Sequence, residues 1–475
     1  MFPLITKQSK TSFFIAISII IAVSGYFFLP NILRNNSVEI ARTGLSLIKN
    51  VSRLLPLEAD TKKEIDAVST LVSKFSETNG KTFVFFIMLQ NNYELRPGGG
   101  FLGQYGILKV KDGEITSFTV EDANLLDQRI KDANIKITPP WPLTRYGQVR
   151  RWLLHDSNFS PDFPTNAAKA EYFYRLGGGR ERFDGIIAIN ADVLNHVIGI
   201  TGPISIPGFG TYTSENAAIS LEEDVEKIYL EQDVTDEQTR NRKNVMKRLA
   251  TEIVNRISNF DGLKKMADLG LEELQDKNVQ LFFKDTELQQ LVSDVYWDGS
   301  VAKNWNYDFL MVVDANIGAL KSDYYVKRSL DYVVDFTGAR GIATLTYTYD
   351  HTATHGDWRT SDYHTYTRVL APSGSIYVEN SRQKTGGVGT TNDDTLKKTI
   401  FGYKVDALMG RALPTSIKYE LPETITADNY QLLIQKQSGT GDIPVKVTIK
   451  TAEGEFSQEA VLKKDSRFSF AKGGN

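Results

Sequence analysis

The sequence predicts an α/β region followed by an all-β sandwich, preceded by a membrane helix and a helical stalk. Three observations carry this. Residues Phe13–Leu29 form an uncharged apolar run, residues 81–320 alternate between strand-like and helical patterns, and the helical period disappears after Lys321. The composition is globular, with 41% hydrophobic and 24% charged residues in a chain of 475. With 55 Lys+Arg against 58 Asp+Glu the formal charge is -3, so the basic excess of a dedicated nucleic-acid binder is missing. Cysteine is absent, which excludes disulfides, Cys-ligated zinc, iron–sulfur clusters and thiol nucleophiles.

The run FFIAISIIIAVSGYFFL at Phe13–Leu29 follows Lys7 and Lys10 and precedes Pro30 and Arg34. At about 1.5 Å per residue, about 17 to 20 residues of helix just cross a hydrocarbon core about 30 Å thick. The two lysines favour a cytoplasmic N-terminus, which places the bulk of the chain outside. The alternative is a cleaved signal peptide, since Ala22-Val23-Ser24 loosely resembles a cleavage site. The apolar run continues past that site, and both readings make the remainder extracytoplasmic. The expected order is therefore a cytoplasmic tail over 1–12, a single-pass cell-membrane anchor over 13–30, and a helical stalk over 31–80. An α/β domain over 81–320 and a β-sandwich over 321–470 complete it.

The stalk is read from apolar residues at helical spacing over 37–55 and again at Ile65, Val68, Leu71, Val72 and Phe75. Thr82–Leu89 is an unbroken apolar run, as in a strand buried on both faces. Strands at Gly103–Val110 and Glu114–Val120 flank Lys111-Asp112-Gly113, a hairpin turn. A helix at Asn166–Arg175, a strand at Phe183–Asn190 and a short helix at Val193–Ile198 follow. Helical patterning covers Leu221–Phe260, with an interruption, and Gly262–Gln275; strands at Val279–Phe283 and Phe309–Val313 enclose a helix near Thr286–Val295. This alternation predicts a parallel or mixed sheet with helices on its faces. Beyond it, strands are expected at Tyr324–Phe336, Gly341–Tyr349, Tyr363–Leu370, Ser375–Glu379, Thr399–Asp406, Thr415–Glu420, Tyr430–Gln437 and Ile443–Lys450. Residues 384–397 are read as a Gly/Thr loop.

Two groups of residues invite a chemical reading. Arg96 beside Gly98-Gly99-Gly100 offers bidentate donors next to exposed backbone N–H groups, suited to an anion. The competing reading is a tight turn whose arginine pairs with a carboxylate. Arg150, Arg151, His155, Asp156 and Asp162 crowd into 13 residues, and with Arg145, Asp122, Asp127 and Asp184 they supply the cations and carboxylates of metal-assisted phosphoryl transfer, Mg2+ being the expected ion. The plain alternative is a solvated loop with ordinary ion pairs. The pattern Gly98-x-Gly100-x-x-Gly103 is followed by β alternation, so it lacks the context of a dinucleotide site. Tyr347, Tyr349, Trp358, Tyr363 and Tyr366 are read either as a sugar platform or as sandwich core.

Several stretches resemble a bacterial family known only as domain of unknown function 4012: Asn91–Gly103 (NNYELRPGGGFLG), Asp156–Pro164 (DSNFSPDFP), Phe183–Ile189 (FDGIIAI), Thr201-Gly202-Pro203, Asp314-Ala315-Asn316 and Gln435–Gly439 (QKQSG). They span about 80–445, and the family carries no established activity. A second, weaker resemblance of the α/β part is to the LytR–CpsA–Psr phosphotransferases, which move glycopolymers from a polyprenyl pyrophosphate carrier to the bacterial wall. It rests on the order of a buried strand, an arginine loop at Arg96, a β run, an acidic pair at Glu121-Asp122, Asn166-Ala167-Ala168, and a glycine turn at Gly177–Gly179 before Gly202–Ile206. The Arg-Asp pairs of that family are incomplete here: Pro97 follows Arg96, and Glu121 precedes Asp122. Only Arg145, Arg150 or Arg151 would replace the lost arginine. The expected function is thus a binding or scaffolding module for envelope glycopolymers or surface partners. The alternative is transfer of a polyprenyl-linked glycan. The sequence leaves the oligomeric state open.

Overall fold

The computed structural model describes residues 59–470 apart from 78, 231–244, 246–247, 250, 254, 257–259, 319 and 382–386. The expected tail (1–12), anchor (13–30) and first stalk helix (37–55) lie outside the described residues. Among the described residues no helix is long and apolar enough to cross a membrane. The chain forms two compact units. One takes the described residues up to Gln90 with Gly103–Leu125 and Gly178–Asp298; the other takes Asn91–Leu102, Leu126–Gly177 and the described residues from Gly299 on.

The first unit is built on strands β1 (Thr82–Arg96), β2 (Gly99–Lys111), β3 (Glu114–Asp122), β4 (Gly185–Asn190) and β7 (Val279–Phe283), in the order β3-β2-β1-β4-β7; the outlying pair β5 (Ile204–Ile206) and β6 (Gly210–Tyr212) forms a separate hairpin. The sheet is mixed, as expected: β1 runs parallel to β4, with Phe85 opposite Gly185, and β4 antiparallel to β7. Asp112 and Gly113 take positive φ values of 50° and 78°, the conformation a two-residue hairpin turn requires. Helix α1 (Ala59–Phe75), expected as stalk, places Phe75 against Phe83 at 5.0 Å, Phe85 at 5.3 Å and Phe283 at 5.7 Å between ring centroids. Its buried face of Ala67, Leu71, Val72 and Phe75 has the helical spacing read in the sequence.

The second unit is a sandwich of two six-stranded sheets, as its alternating strands predict. Strands β8 (Asp308–Asn316), β9 (Val326–Asp335), β10 (Ile342–His351), β11 (Tyr363–Pro372), β12 (Ile376–Asn380), β13 (Gly389–Asp393), β14 (Lys398–Ala407), β15 (Arg411–Glu420), β16 (Gln431–Gln435), β17 (Ile443–Thr451), β18 (Gly454–Leu462) and β19 (Ser466–Ser469) supply them. One sheet runs β12-β15-β10-β9-β17-β18 and the other β13-β14-β11-β8-β16-β19. Two neighbours are parallel, β16 with β8 and β17 with β9. Inward-facing Tyr332, Leu345, Tyr347, Tyr363, Phe401, Val405 and Tyr419 make the core between the sheets. Tyr347, Tyr349 and Tyr363 are buried there, so the platform reading does not apply to them. Strand β8, read in the sequence with the α/β part, pairs with β11 and β16 inside the sandwich. The stretch 384–397, read as loop, contains β13.

The outer face of β11 and β8 is covered by the segment 126–177 of the same unit. That segment continues from helix α2 (Ala123–Asp132) through the one-turn helix α3 (Trp141–Arg145) to helix α4 (Phe163–Leu176). Leu143 and Phe159 pack on Ala315, and Trp152 meets Phe173 at 5.7 Å.

Candidate functional site

The family-like segments 91–103, 156–164, 314–316 and 435–439 meet in the sandwich unit as one buried polar knot. Arg96 sits at the end of β1. Its Nε donates to Asp156 Oδ1 (2.9 Å), its Nη2 to Glu94 Oε1 (2.9 Å) and its Nη1 to the Asn316 carbonyl (3.1 Å). The guanidinium lies 5.3 Å from the Phe101 ring centroid. His155 extends the row: its Nδ1 is 2.5 Å from Asp127 Oδ2 and its Nε2 3.3 Å from Asp156 Oδ2. Asp127 also accepts from Leu154 N (2.8 Å). The order is Glu94–Arg96–Asp156–His155–Asp127, carboxylates alternating with cations.

Burial opposes the charges of Arg96, Asp156 and His155, and their neighbours overcome it. Arg96 is held above the usual arginine range by Asp156 and Glu94 despite burial. Burial pushes the Asp156 carboxyl up, but Arg96 and His155 hold it well below the usual carboxylate range. Burial lowers the His155 imidazole, yet its bonds to Asp127 and Asp156 raise it to about 9, so it is an imidazolium at neutral pH. Both His155 nitrogens face carboxylates, which leaves no lone pair for proton abstraction.

A second row joins the first. Gln437 Nε2 donates to the Arg96 carbonyl (3.1 Å) and the Asp314 carbonyl (2.8 Å), while its Oε1 accepts from Asp314 N (2.8 Å). Arg328 donates from Nε to Asp314 Oδ2 (2.9 Å) and from Nη2 to Asp323 Oδ1 (2.5 Å) and Tyr363 Oη (2.9 Å). Asp323 Oδ2 accepts from Leu95 N (3.0 Å) and Asn316 Nδ2 (2.9 Å), closing the circuit on the Arg96 loop.

The glycines beside Arg96 serve this closure. Gly98 N donates to the Asn158 carbonyl (3.0 Å), and a Cβ there would stand 2.2 Å from Asn166 Nδ2. A Cβ on Gly100 would stand 2.2 Å from the Asn91 carbonyl, and Gly99 has φ 137°. All three are buried, so of the two readings the sequence allows the exposed anion cradle is not the one observed: the backbone packs closely on its neighbours. The observed arrangement is the tight turn with a carboxylate-paired arginine.

The other sequence candidates are scattered through the two units. Asp122 Oδ1 accepts from Asn124 N (2.8 Å) at the start of α2. Asp162 accepts from Val301 N (3.1 Å) and Thr165 Oγ1 (2.6 Å). Asp184 accepts from Val84 N (2.9 Å). Arg151 donates to the Lys131 carbonyl (3.3 Å) and Asn134 Oδ1 (3.4 Å), and Arg145 and Arg150 are exposed. Among the described residues no three carboxylate or imidazole groups converge as a metal site. Mg2+ does not fit the knot: Arg96 and His155 stand between the carboxylates and occupy the oxygens a cation would need. Sequence reasoning missed Glu94 and Gln437 as partners of Arg96, and Arg328 and Asp323 as the second row behind them. Their one signal is that Glu94 and Gln437 lie inside the family-like stretches.

A family model described as a protein of unknown function (DUF4012) matches residues 82–225. The range contains the Arg96 turn, the 156–164 stretch and strand β4; Asp314–Asn316 and Gln435–Gly439 lie beyond it. No curated protein matches the chain. Among solved structures, the Lin1025 protein of Listeria innocua aligns at 11% identity and a TM-score of 0.24, covering 46% of this chain and 80% of that one.

Proposed function

We propose that this chain, a DUF4012 family member through residues 82–225, is a single-pass cell-envelope protein. Residues 13–30 anchor it with the N-terminus in the cytoplasm, and the folded units lie outside, where they bind or scaffold envelope glycopolymers or surface partners. The uncharged run Phe13–Leu29 behind Lys7 and Lys10 supports the placement. The observation that carries the choice of a binding module over a transferase is the engagement of Arg96. Its Nε, Nη1 and Nη2 are all occupied by Asp156, Asn316 and Glu94, so the loop that would hold a pyrophosphate instead holds the protein together. The element order of the α/β unit remains the support for a LytR–CpsA–Psr-like fold, and a fold of that kind does not itself supply the transfer chemistry.

The absence of native cysteine makes the placement directly measurable. Full-length chains carrying Lys7→Cys or the exposed Glu453→Cys are expressed in a bacterium and treated with a membrane-impermeant maleimide. Labelling of Glu453→Cys on intact cells, with Lys7→Cys labelled only after lysis, is expected. The reverse pattern overturns the topology. Separately, polyprenyl phosphate retained by the native protein and lost from Arg96→Ala would overturn the module reading in favour of transfer.

A further inference from the structure

Arg328 and Arg96 each hold two carboxylates. Arg368, on the outer face of β11, is built differently. Its Nη2 donates to the Phe159 carbonyl (3.0 Å), and the guanidinium lies 5.2 Å from the Phe159 ring centroid. Among the described residues no carboxylate forms an ion pair with it, and its Nε is buried without a hydrogen-bond partner. Burial lowers its pKa to about 10, with Tyr366 and Asp393 offsetting only part of the cost.

Beside this cation is an aromatic cluster. Tyr366, two residues along the same strand face, stacks on Tyr146 (5.7 Å, 26° between planes) and meets Trp141 edge-on (5.1 Å); Trp141 and Tyr146 are 5.9 Å apart. Trp141 is 55% exposed, which is unusual for the largest apolar side chain and leaves its ring open to a ligand. Arg145 lies four residues on in the same helical turn, on the face that Trp141 occupies, and adds a second cation. Across the sheet, Arg368 pairs with Gly402, and Gly402 with Gly389. A Cβ on Gly402 would stand 2.1 Å from Tyr366 Oη, so the tyrosine lies over a strand position without a side chain.

We propose that Arg368, Trp141 and Tyr146, seated on the buried Tyr366 and with Arg145 at the rim, form a binding site for an anionic saccharide. The sugar's C–H face stacks on the exposed ring and its carboxylate or phosphate meets the guanidinium. A pyranose has an apolar, slightly positive C–H face that suits the negative face of an aromatic ring. A planar carboxylate or phosphate matches the donor fork of an arginine that forms no ion pair among the described residues. The site rests on the module reading and gives it a ligand class.

The test uses full-length protein in detergent and calorimetric titration with a short oligogalacturonate, glucose 1-phosphate, a neutral malto-oligosaccharide and inorganic phosphate. The anionic sugars are expected to bind at least about ten-fold more tightly than the neutral one, the worth of a charge-assisted hydrogen bond. Trp141→Ala, at an exposed position that the fold tolerates, weakens them about ten-fold; Arg368→Gln removes the preference for the charged sugars. Unchanged binding in both variants, failure of both anionic sugars to bind, or inorganic phosphate binding as well as they do overturns the site. The cysteine labelling above is indifferent to these results, so outward labelling without saccharide binding sinks the site alone.

Discussion

Strand β8 buries two aspartates on the same face, six residues apart, and treats them in opposite ways. At one end Asp314 meets Arg328, Tyr349 Oη (2.8 Å) and Thr367 Oγ1 (2.8 Å). At the other, Asp308 meets only neutral donors: Tyr430 Oη (2.6 Å), Tyr332 Oη (2.9 Å) and Phe309 N (2.8 Å). Burial pushes Asp308 up to about 7, and the phenols and the amide offset it only in part. Equal burial on one strand thus gives a committed ion pair at one end and a carboxyl poised near neutrality at the other. The difference lies in a single cation. Arg328, by contrast, is held well above its usual range although burial opposes its charge. Hydrogen bonds from hydroxyls satisfy a buried carboxyl but do not replace the counter-charge.

Removing that cation is expected to have the largest effect. Arg328→Met leaves Asp314 and Asp323 buried without their guanidinium, at a cost of about 3–5 kcal/mol. Chemical denaturation of the full-length protein should show the loss as a shifted midpoint with unchanged slope. Adding Asp314→Asn to Arg328→Met should restore part of it, because the stranded charge is then gone. A single-variant loss below about 1 kcal/mol would make Arg328 no more than a surface-like pair and end the contrast.

Next in size is the titration of Asp308. Its folded pKa is raised, so its contribution to stability is complete below the unfolded value of about 4 and is lost as pH rises through about 7. The wild type should therefore gain stability on acidification across that window, by an amount on the order of 4 kcal/mol at the limit. Asp308→Asn, which keeps the shape and removes the proton, should abolish that component. Denaturation midpoints from pH 4 to 8 decide it: parallel curves for wild type and variant would show that the phenols hold Asp308 ionised throughout.

How much of this is legible in the sequence follows from burial. Strand β9 alternates buried and half-open residues along VKRSLDYVVD, and its period was plain in the sequence. Strand β8 is buried at all nine positions, covered by the opposite sheet on one face and by Leu143 and Phe159 on the other. It therefore reads as an unbroken apolar run, the mark of an α/β strand, and its sequence places it with that region. Strand β18 is exposed at nearly every position, and an edge without a buried face has no alternation to detect. The site was less legible still. Arg96 and its glycines stood out, but the partners that decide their role are 60 residues away at Asp156 and 341 away at Gln437. Tyr366 is legible as one of the sandwich aromatics, and nothing local to it indicates that it touches Trp141, 225 positions earlier in the chain. Only the fold supplies such pairs.

The smallest expected effect separates the knot from Asp308 by pH. His155 has a raised folded pKa, so its contribution is complete below the unfolded value of about 6.5 and is lost as pH rises through about 9. Asp156 works in the other direction. Its lowered pKa gives stability present above about 4 and lost on acidification. The knot is thus strongest between the two, while Asp308 is already weakening there. Asp127→Asn keeps an acceptor for Leu154 N but removes the charge facing His155 Nδ1. It should lower the His155 titration toward its ordinary range and flatten the stability loss between pH 7 and 9, an effect of about 1–3 kcal/mol. NMR titration of the His155 ring in wild type and variant reads this directly. A wild-type midpoint near 6.5 would mean that the two carboxylates do not hold the imidazolium, and the alternating row would reduce to the Arg96 pairs alone.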